Sequence, residues 1–411
     1  MRYCLIIFLL CFFISCAKTE TDQDSRLNCK NVNVSDTMTR TQLSCYLHRS
    51  ITMSDLFHNI YDFQSQLSFI ETIKPLFLGR TLFVFGFENQ LPTRLDSAKS
   101  KIQEIHSIDP DIICQAAIFE IVSREVETIF IPSWVFQYFN IEPEDRTFNY
   151  DAMLFPSGSD EIDFWYTDAS VPDLTNRETQ MWYLFLAGKY IDAGIEAIHL
   201  GQIEWVASRD SDKSAVTQLV KNIRHYASEN ARRGLVLLDG HSHGLEKDGY
   251  LALDFHSYPL RLFQDSKSPV GTTISSDWHD SIYTKSRGGI HPLGWNCLHN
   301  LFLVEFDHGY SQGSIALNTG FEFIDGLDEI TWFAIQIEED RNKILWSLWL
   351  RVKALDNNGI VEMPGARPIY TSYEEYPEDW YFGHGTDIDF SSGYNQTETI
   401  KAIWDSYTIY Y

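Results

Sequence analysis

The chain has 411 residues, 44% hydrophobic and 14% aromatic, which is ample for one large core and argues against disorder. Its 32 basic and 57 acidic residues give a formal charge of −25, so phosphate polyanions and anionic lipid faces are repelled; no basic run or nucleic-acid motif appears. The 27 Phe, 21 Tyr and 11 Trp serve the core first, but flat aromatic faces lining a groove also stack well on sugar rings.

The opening "MRYCLIIFLLCFFISC" has one basic residue, Arg2, and then an apolar run ending at Cys16. That run is too short to span a bilayer comfortably and has the proportions of a signal peptide. "FISC" before "AKTETDQDS" resembles the processing site of bacterial lipoproteins, in which the cysteine becomes the lipidated first residue. The resemblance implies a signal peptide over 1–15 and lipid on Cys16. It also implies stable anchoring in the cell envelope, at the outer membrane, with the lipid as the one membrane contact. A plain secretory signal is the simpler alternative. Cys29, Cys45, Cys114 and Cys297 then remain, at spacings that fit no zinc module. Cys29 and Cys45 could close a loop in an oxidising compartment, and Cys114, in an apolar run, reads as a buried free thiol. Residues 17 to about 50, rich in Thr, Ser, Asn and Asp and without period, read as a polar tether.

From about residue 78 strands and helices alternate. "RTLFVFGFE" (80–88) is an aromatic-rich apolar run bounded by Gly79 and Pro92 and predicts a strand. Thr93, with Asp96 three residues on, predicts the start of a helix carrying Leu95, Ala98, Ile102 and Ile105. "DIICQAAIFEIV" (111–122) predicts the next strand. Thr175–Asn176–Arg177–Glu178 has the form of a capping box, opening a helix with Met181, Trp182, Phe185, Leu186 and Tyr190 on one side. Gly194 closes it, and "IEAIHL" follows directly as a strand. A helix from about Asp212, striped by Val216, Leu219, Val220, Ile223 and Tyr226, ends at Gly234, and "LVLLD" (235–239) comes next. "LFLVEFD" (301–307) is another such strand, and "GIVEMPG" (359–365) adds one more. "DEITWFAIQ", "KILWSLWLRVKAL" and "NQTETIKAIW" predict helices, the last opened by an Asn395…Glu398 box. The segments 148–173 and 245–300 read as long loops or small hairpins, with "GYLALDFHSYPL" alternating enough for a strand pair.

Continuous apolar strands joined by amphipathic helices mean a parallel sheet covered on its faces. Length and alternation favour a single (β/α)₈ barrel over 51–411 with long strand-end loops. The competitor is a doubly wound open sheet, but no Gly-rich phosphate fingerprint follows the first strand.

In a parallel barrel the active site lies at the carboxyl ends of the strands. Here Glu88, Glu120, Gln202 with Glu204, Asp239, and Glu305 with Asp307 end five strands, which suggests an acidic cleft. An exported, aromatic-rich barrel with such a cleft resembles the (β/α)₈ glycoside hydrolases, on the evidence of the signal and the strand-end pattern. The resemblance implies a substrate that is an oligo- or polysaccharide, no cofactor, and two carboxyl groups. One is kept protonated and donates to the leaving oxygen; the other attacks the sugar or activates water. Glu204 and Glu305, from well-separated strands, are the expected pair, with Asp239 the third candidate. Gln202, His199, His241, His243, Asp307 and Trp205 are expected to bind substrate around them. Trp134, Trp165, Trp205, Trp278, Trp295 and Trp380 fall in or near loops and are candidates for a stacking platform.

"DGHSHG" and "DFH" supply a second constellation: Asp239, His241, His243, Asp254 and His256. Alternate residues on a strand share a face, so these imidazoles and carboxylates would suit zinc or another divalent ion. The bland counterpart is a glycine-bent loop whose histidines bond hydroxyls or backbone. Two alternatives to the glycosidase follow: a metal-dependent hydrolase built on this cluster, and a non-catalytic glycan-binding lipoprotein.

Overall fold

The protein is described by a computed structural model over residues 37–58, 62–268, 270–274, 286–308, 327–369, 379–385 and 393–410. The expected signal peptide, Cys16, Cys29 and most of the tether lie outside these residues. No helix among the described residues is long and apolar enough to cross a membrane.

The described residues begin inside the expected tether. Thr39 and Gln42 form a capping box and start helix α1 (Arg40–His48), and strand β1 (Ser50–Met53) follows at once. Then come α2 (Phe63–Ile73), β2 (Phe77–Leu82), α3 (Leu91–Ile108) and β3 (Ile113–Ala117). Next are α4 (Arg177–Ala193), β4 (Ala197–His199), α5 (Ser214–Asn230), β5 (Leu237–Asp239), β6 (His256–Pro259) and β7 (Phe302–Glu305). The chain ends with α6 (Glu329–Ala334), α7 (Glu338–Leu355), β8 (Gly359–Val361), β9 (Met363–Ile369), β10 (Asp379–Phe382) and α8 (Thr397–Tyr410).

The class is mixed α/β. One sheet has the order β10-β9-β1-β2-β3-β4-β5, parallel except where β10 joins, and a second has the order β6-β7-β8, all parallel. The order from β1 to β5 follows the chain without reversal. The sheets meet at two places. His241, just past β5, bridges Ser257 of β6 in parallel, and Ser257 N–H donates to Gly240 O at 3.1 Å. At the other seam β8 pairs with β7 and β9 pairs with β1, separated by Glu362 alone, whose N–H donates to Val304 O at 2.9 Å.

Packing separates two apolar regions. The larger core joins the outward strand faces to the helices, for example Ile51, Leu78, Cys114, Ile198, Leu238 and Val304 against Ile102, Trp182 and Ile223. A smaller cluster holds Phe77, Ile113, Ala197, Leu237, Phe255, Leu303 and Ile360 together with Leu43, Cys45, Tyr46 and Leu47 of α1. The first helix thus seals one end of the strands' other face. Cys45 is disulfide-bonded, to a partner outside the described residues; Cys114 is a buried free thiol as expected, and Cys297 is also free.

Several local expectations are corrected. The strand expected over 80–88 is Phe77–Leu82, and Glu88 lies in a 3-10 turn, because the aromatics after Leu82 line loops instead of extending the strand. Helix α3 starts at Leu91 with Pro92 in its first turn, where a missing N–H costs nothing, and not from a Thr93 cap. Thr175 does not cap α4. Its hydroxyl donates to Asp173 at 2.7 Å, while Glu178 accepts from Arg146 at 2.7 Å, so a partly buried ion pair takes the glutamate the box would need. Asn395 likewise turns away, donating to Glu338 at 2.9 Å, and Glu398 pairs with Lys401. Gly194 does close α4, at φ +104°.

Candidate active site

Side chains two apart on a strand share a face. Two residues beyond Phe77, Ile113, Ala197, Leu237, Phe255, Leu303 and Ile360 of the small apolar cluster stand Gly79, Gln115, His199, Asp239, Ser257, Glu305 and Glu362, and Arg80 follows Gly79. An apolar layer closed by α1 lies at one end, and a polar layer lies toward the carboxyl ends.

Arg80 enters this layer through a bulge. Leu78 pairs with Cys114 and Leu82 with Ala116, so three residues of β2 face one of β3. Arg80 adopts φ +56°, a strained value for a residue with a side chain, and the surroundings hold it there. Its N–H donates to Gln115 Oε1 at 3.1 Å and its carbonyl accepts from Asp55 N–H at 3.0 Å. Gly79 beside it is required by space, since a Cβ there would stand 2.1 Å from Glu362 Oε1.

The hydrogen bonds of the layer have one consistent direction. Arg80 donates with both terminal nitrogens to the two carboxylate oxygens of Glu305, whose side chain is 0% exposed. Its Nη2 also donates to His199 Nε2 at 3.1 Å. That fixes the His199 tautomer: Nδ1 carries the proton and donates to Asp239 Oδ2 at 2.8 Å. Gln115 Nε2 and Ser257 Oγ also donate to Asp239, at 2.7 and 2.5 Å. On the other side His241 Nε2 donates to Glu305 Oε1 at 3.0 Å, and Gln202 Nε2 donates to His241 Nδ1 at 2.7 Å.

Burial sets the protonation states. It holds His199 well below the usual histidine value, with Arg80 adding to the effect, and does the same to His241 with help from His199. Asp239 is pushed up to about 7 because burial outweighs its three donors and Arg80. Glu362 rises to about 6 from burial despite Arg80. Burial lowers Arg80 to about 10.

Outside this layer the segments that follow the strands carry more acids. For Asp307 burial would raise the carboxyl, but Arg261, His241 and Arg367 together bring it down to about 2. Arg261 donates to Asp307 at 3.0 Å and lies 3.4 Å from Glu329, which burial pushes up to about 8. Arg367 donates to Phe306 O at 2.8 Å and to Ser54 Oγ at 3.1 Å. Glu120 accepts from Gln202 N–H at 3.0 Å. Glu204 accepts from His243, from its Nδ1 at 2.7 Å and its N–H at 2.9 Å, and from Ser242 Oγ at 3.2 Å. Burial opposes its charge, but these donors leave it below the usual carboxylate value.

The expected residues thus fall into three groups. His199, Asp239, His241 and Glu305 share one network, with Gln202 attached and Asp307 beside it. Glu204 and His243 form a separate dyad, tied to that network through the loop 239–243. Asp254 and His256 leave it: Asp254 accepts from Leu238 N–H at 2.7 Å and Arg224 at 3.0 Å, and among the described residues neither ring nitrogen of buried His256 has a partner. The five residues of the expected metal cluster therefore do not converge on one point: four have different partners and His256 has none among the described residues. Among the described residues no group of three or more His, Cys, Asp or Glu side chains could hold a metal ion. Glu88 is spent on Ser123.

A band of half-buried aromatics starts beside His199. Phe119 packs 6.2 Å from His199, 5.2 Å from Phe83 and 5.7 Å from Phe85; Phe85 meets Trp165 at 5.1 Å, and Phe164 joins Trp165 to Trp205 at 5.1 and 4.8 Å. Of the expected platform, Trp165 and Trp205 belong here. Trp134 packs on Tyr226, Trp295 stacks on His291 and Trp380 on Phe382; Trp278 lies outside the described residues.

Arg80, Gln115, Ser257, Arg261, Glu329, Glu362 and Arg367 were not among the expected site residues. A signal for three of them was present: "ICQ", "AIH", "LLD", "LVE" and "IVE" repeat an apolar-apolar-polar triplet, which marks Gln115 and Glu362 directly, while "FHS" marks Ser257 more weakly. Arg80 had none, since a bulge is not written in apolar periodicity.

No protein-family model matches the chain, and no curated protein matches it. Among solved structures it is similar to a noncanonic maltogenic α-amylase from Thermotoga neapolitana, at a TM-score of 0.33 and 9% identity over 52% of this chain and 50% of that one. It is also similar to a GH27 β-L-arabinopyranosidase from Geobacillus stearothermophilus, at 0.28 and 13% over 51% and 50%. The chain spans about half the length of each, and likenesses at these scores carry no argument about its activity.

Proposed function

We propose that the protein is a carbohydrate-active hydrolase that cleaves a glycosidic bond at the mouth of a (β/α)₈ ring. The ring is β1 to β7 closed by the β8–β9 segment, with its two seams at His241–Ser257 and at Glu362. The single observation that carries the reading is the polar layer: Glu305, oriented by Arg80 and His241, lies at the strand ends beside an aromatic band suited to sugar faces.

In this reading Glu305 is the carboxylate that acts on the anomeric carbon or on water. The arginine and the imidazole favour its ionised form, and Oε2, bonded among the described residues to Arg80 alone, keeps a lone pair to spare. Asp239 holds His199, and Glu204 holds the loop bearing His241, so both act through other residues. Asp307, with 25% of its side chain exposed, and Gln202 contact substrate hydroxyls. The protein is exported and lipid-anchored through Cys16 in the cell envelope, a reading supported by the leader sequence and by the disulfide at Cys45.

The test is turnover on a broad panel of oligo- and polysaccharides by wild type, Glu305→Gln and Glu204→Gln, with folding checked by circular dichroism. Cleavage abolished by Glu305→Gln supports the reading. Binding without cleavage points to a glycan-binding protein, and activity lost to a chelator and restored by zinc points to metal chemistry.

A further inference from the structure

Four acids of the network have cationic or imidazole partners at ion-pair distance. Glu305 has Arg80 and His241, Asp307 has Arg261, Glu204 has His243, and Asp239 has His199. Glu120 is different. Among the described residues no Arg, Lys or His nitrogen lies within ion-pair distance of its carboxyl, and its one hydrogen bond from another residue comes from Gln202 N–H.

Its surroundings suit a neutral acid. Glu120 is half-buried at the end of β3, directly after Phe119. Trp165 Nε1 donates to its carbonyl at 2.9 Å, and Tyr183 Oη donates to Phe119 O at 3.2 Å. Gly201, at φ +46°, makes the seat, because a Cβ there would stand 2.5 Å from Glu120 Oε2. The charged groups that face Glu120 are Asp307, which opposes its ionisation, and Arg80, which favours it. Burial is the largest effect, Gln202 N–H opposes it, and the net direction is upward from the ordinary glutamate value; Tyr183 stays neutral.

Glu120 is also joined to Glu305. Gln202, whose N–H bonds Glu120, donates through its side chain to His241, and His241 donates to Glu305. The two carboxyl groups flank one Gln202–His241 pair. We infer that Glu120 is the proton donor of the reaction proposed above, on whose reading this rests. As the bond from the anomeric carbon to the leaving oxygen breaks, that oxygen takes the Glu120 proton and the electron pair of the bond. Glu120 is left as a carboxylate and regains a proton as water is consumed.

The experiment compares wild type with Glu120→Gln on the oligosaccharide identified by the panel and on the matching aryl glycoside with a dinitrophenyl leaving group, which departs without protonation. A proton donor predicts that kcat/KM on the oligosaccharide falls by about 100-fold or more, that the aryl glycoside loses about tenfold at most, and that the alkaline limb of the pH profile disappears. Equal losses on both substrates, or no loss, would overturn the assignment. NMR of carboxyl-labelled glutamate, with the Glu120 signal identified by its loss in the variant, reads the acid without turnover. A titration at or below the range of exposed glutamates overturns it as well. A wild type that cleaves no glycan removes the hydrolytic reading and the proposal with it, whereas cleavage that survives Glu120→Gln removes only the role of Glu120.

Discussion

Arg80 and Glu305, 225 residues apart in the chain, meet in a two-pronged ion pair with one guanidinium nitrogen on each carboxylate oxygen. Both side chains are buried, so each charge depends on the other. Arg80→Leu or Glu305→Leu alone should cost about 3–5 kcal/mol, because a buried charge is left without its partner. The double variant should lose much less than the sum, as measured by denaturant unfolding in a double-mutant cycle. Additive losses would mean that the pair is not coupled.

Buried acids make stability fall with rising pH. Glu329 is raised to about 8, Asp239 to about 7 and Glu362 to about 6, all chiefly by burial. A carboxyl raised in the fold contributes stability that is fully present below its unfolded value and is lost as pH rises through the folded one. Between pH 6.5 and 8.5 the melting temperature of wild type should therefore drop. Glu329→Gln, which copies the protonated state, should flatten the upper part of that drop in a thermal-shift series.

His256 contributes in the opposite direction. Burial lowers it to about 4, so its stability contribution is present above the unfolded value near 6.5 and is lost as pH falls toward 4. Both its ring nitrogens are buried and have no partner among the described residues. His256→Leu should raise stability at neutral pH by about 1 kcal/mol, because an unsatisfied polar group is replaced by an apolar one. The same variant should lose less on acidification than wild type. A destabilised variant with an unchanged acid slope would refute this.

Gly79→Ala tests the bulge. The new Cβ would meet Glu362 Oε1 at 2.1 Å and force the buried carboxyl aside, which should cost about 1–3 kcal/mol. Adding Glu362→Ala should recover part of that loss in equilibrium unfolding.

Cys45→Ser should cost about 2–5 kcal/mol, the usual loss on removing a native disulfide, because Cys45 is buried in α1 and disulfide-bonded. Dithiothreitol should lower the melting temperature of wild type and leave that of the variant unchanged.

Much of the interior was legible in the chain. The triplets "LLD" and "LVE" placed Asp239 and Glu305 at strand ends, and "AIH" placed His199, because alternation on a parallel strand admits few other arrangements. Where sequence reasoning slipped, a tertiary demand had redirected a local signal. The aromatics Phe83 and Phe85 look like strand but rim the mouth. Glu178 looks like a capping residue but neutralises Arg146. Strand β1 has only four residues, too few to show a period, although the Thr39–Gln42 box ahead of it was readable. Arg80 depends on a positive φ that no side-chain pattern announces.

Strand β1 finds one neighbour in β2 and the other in β9, so that Ile51 lies beside Met363, at the far end of the chain. Such a pairing carries a large loop-closure entropy and forms only after nearly all of the polypeptide has emerged. A nascent chain stopped short of residue 363 would keep that edge open and ready to pair with another molecule, so truncated forms should aggregate where the whole protein folds.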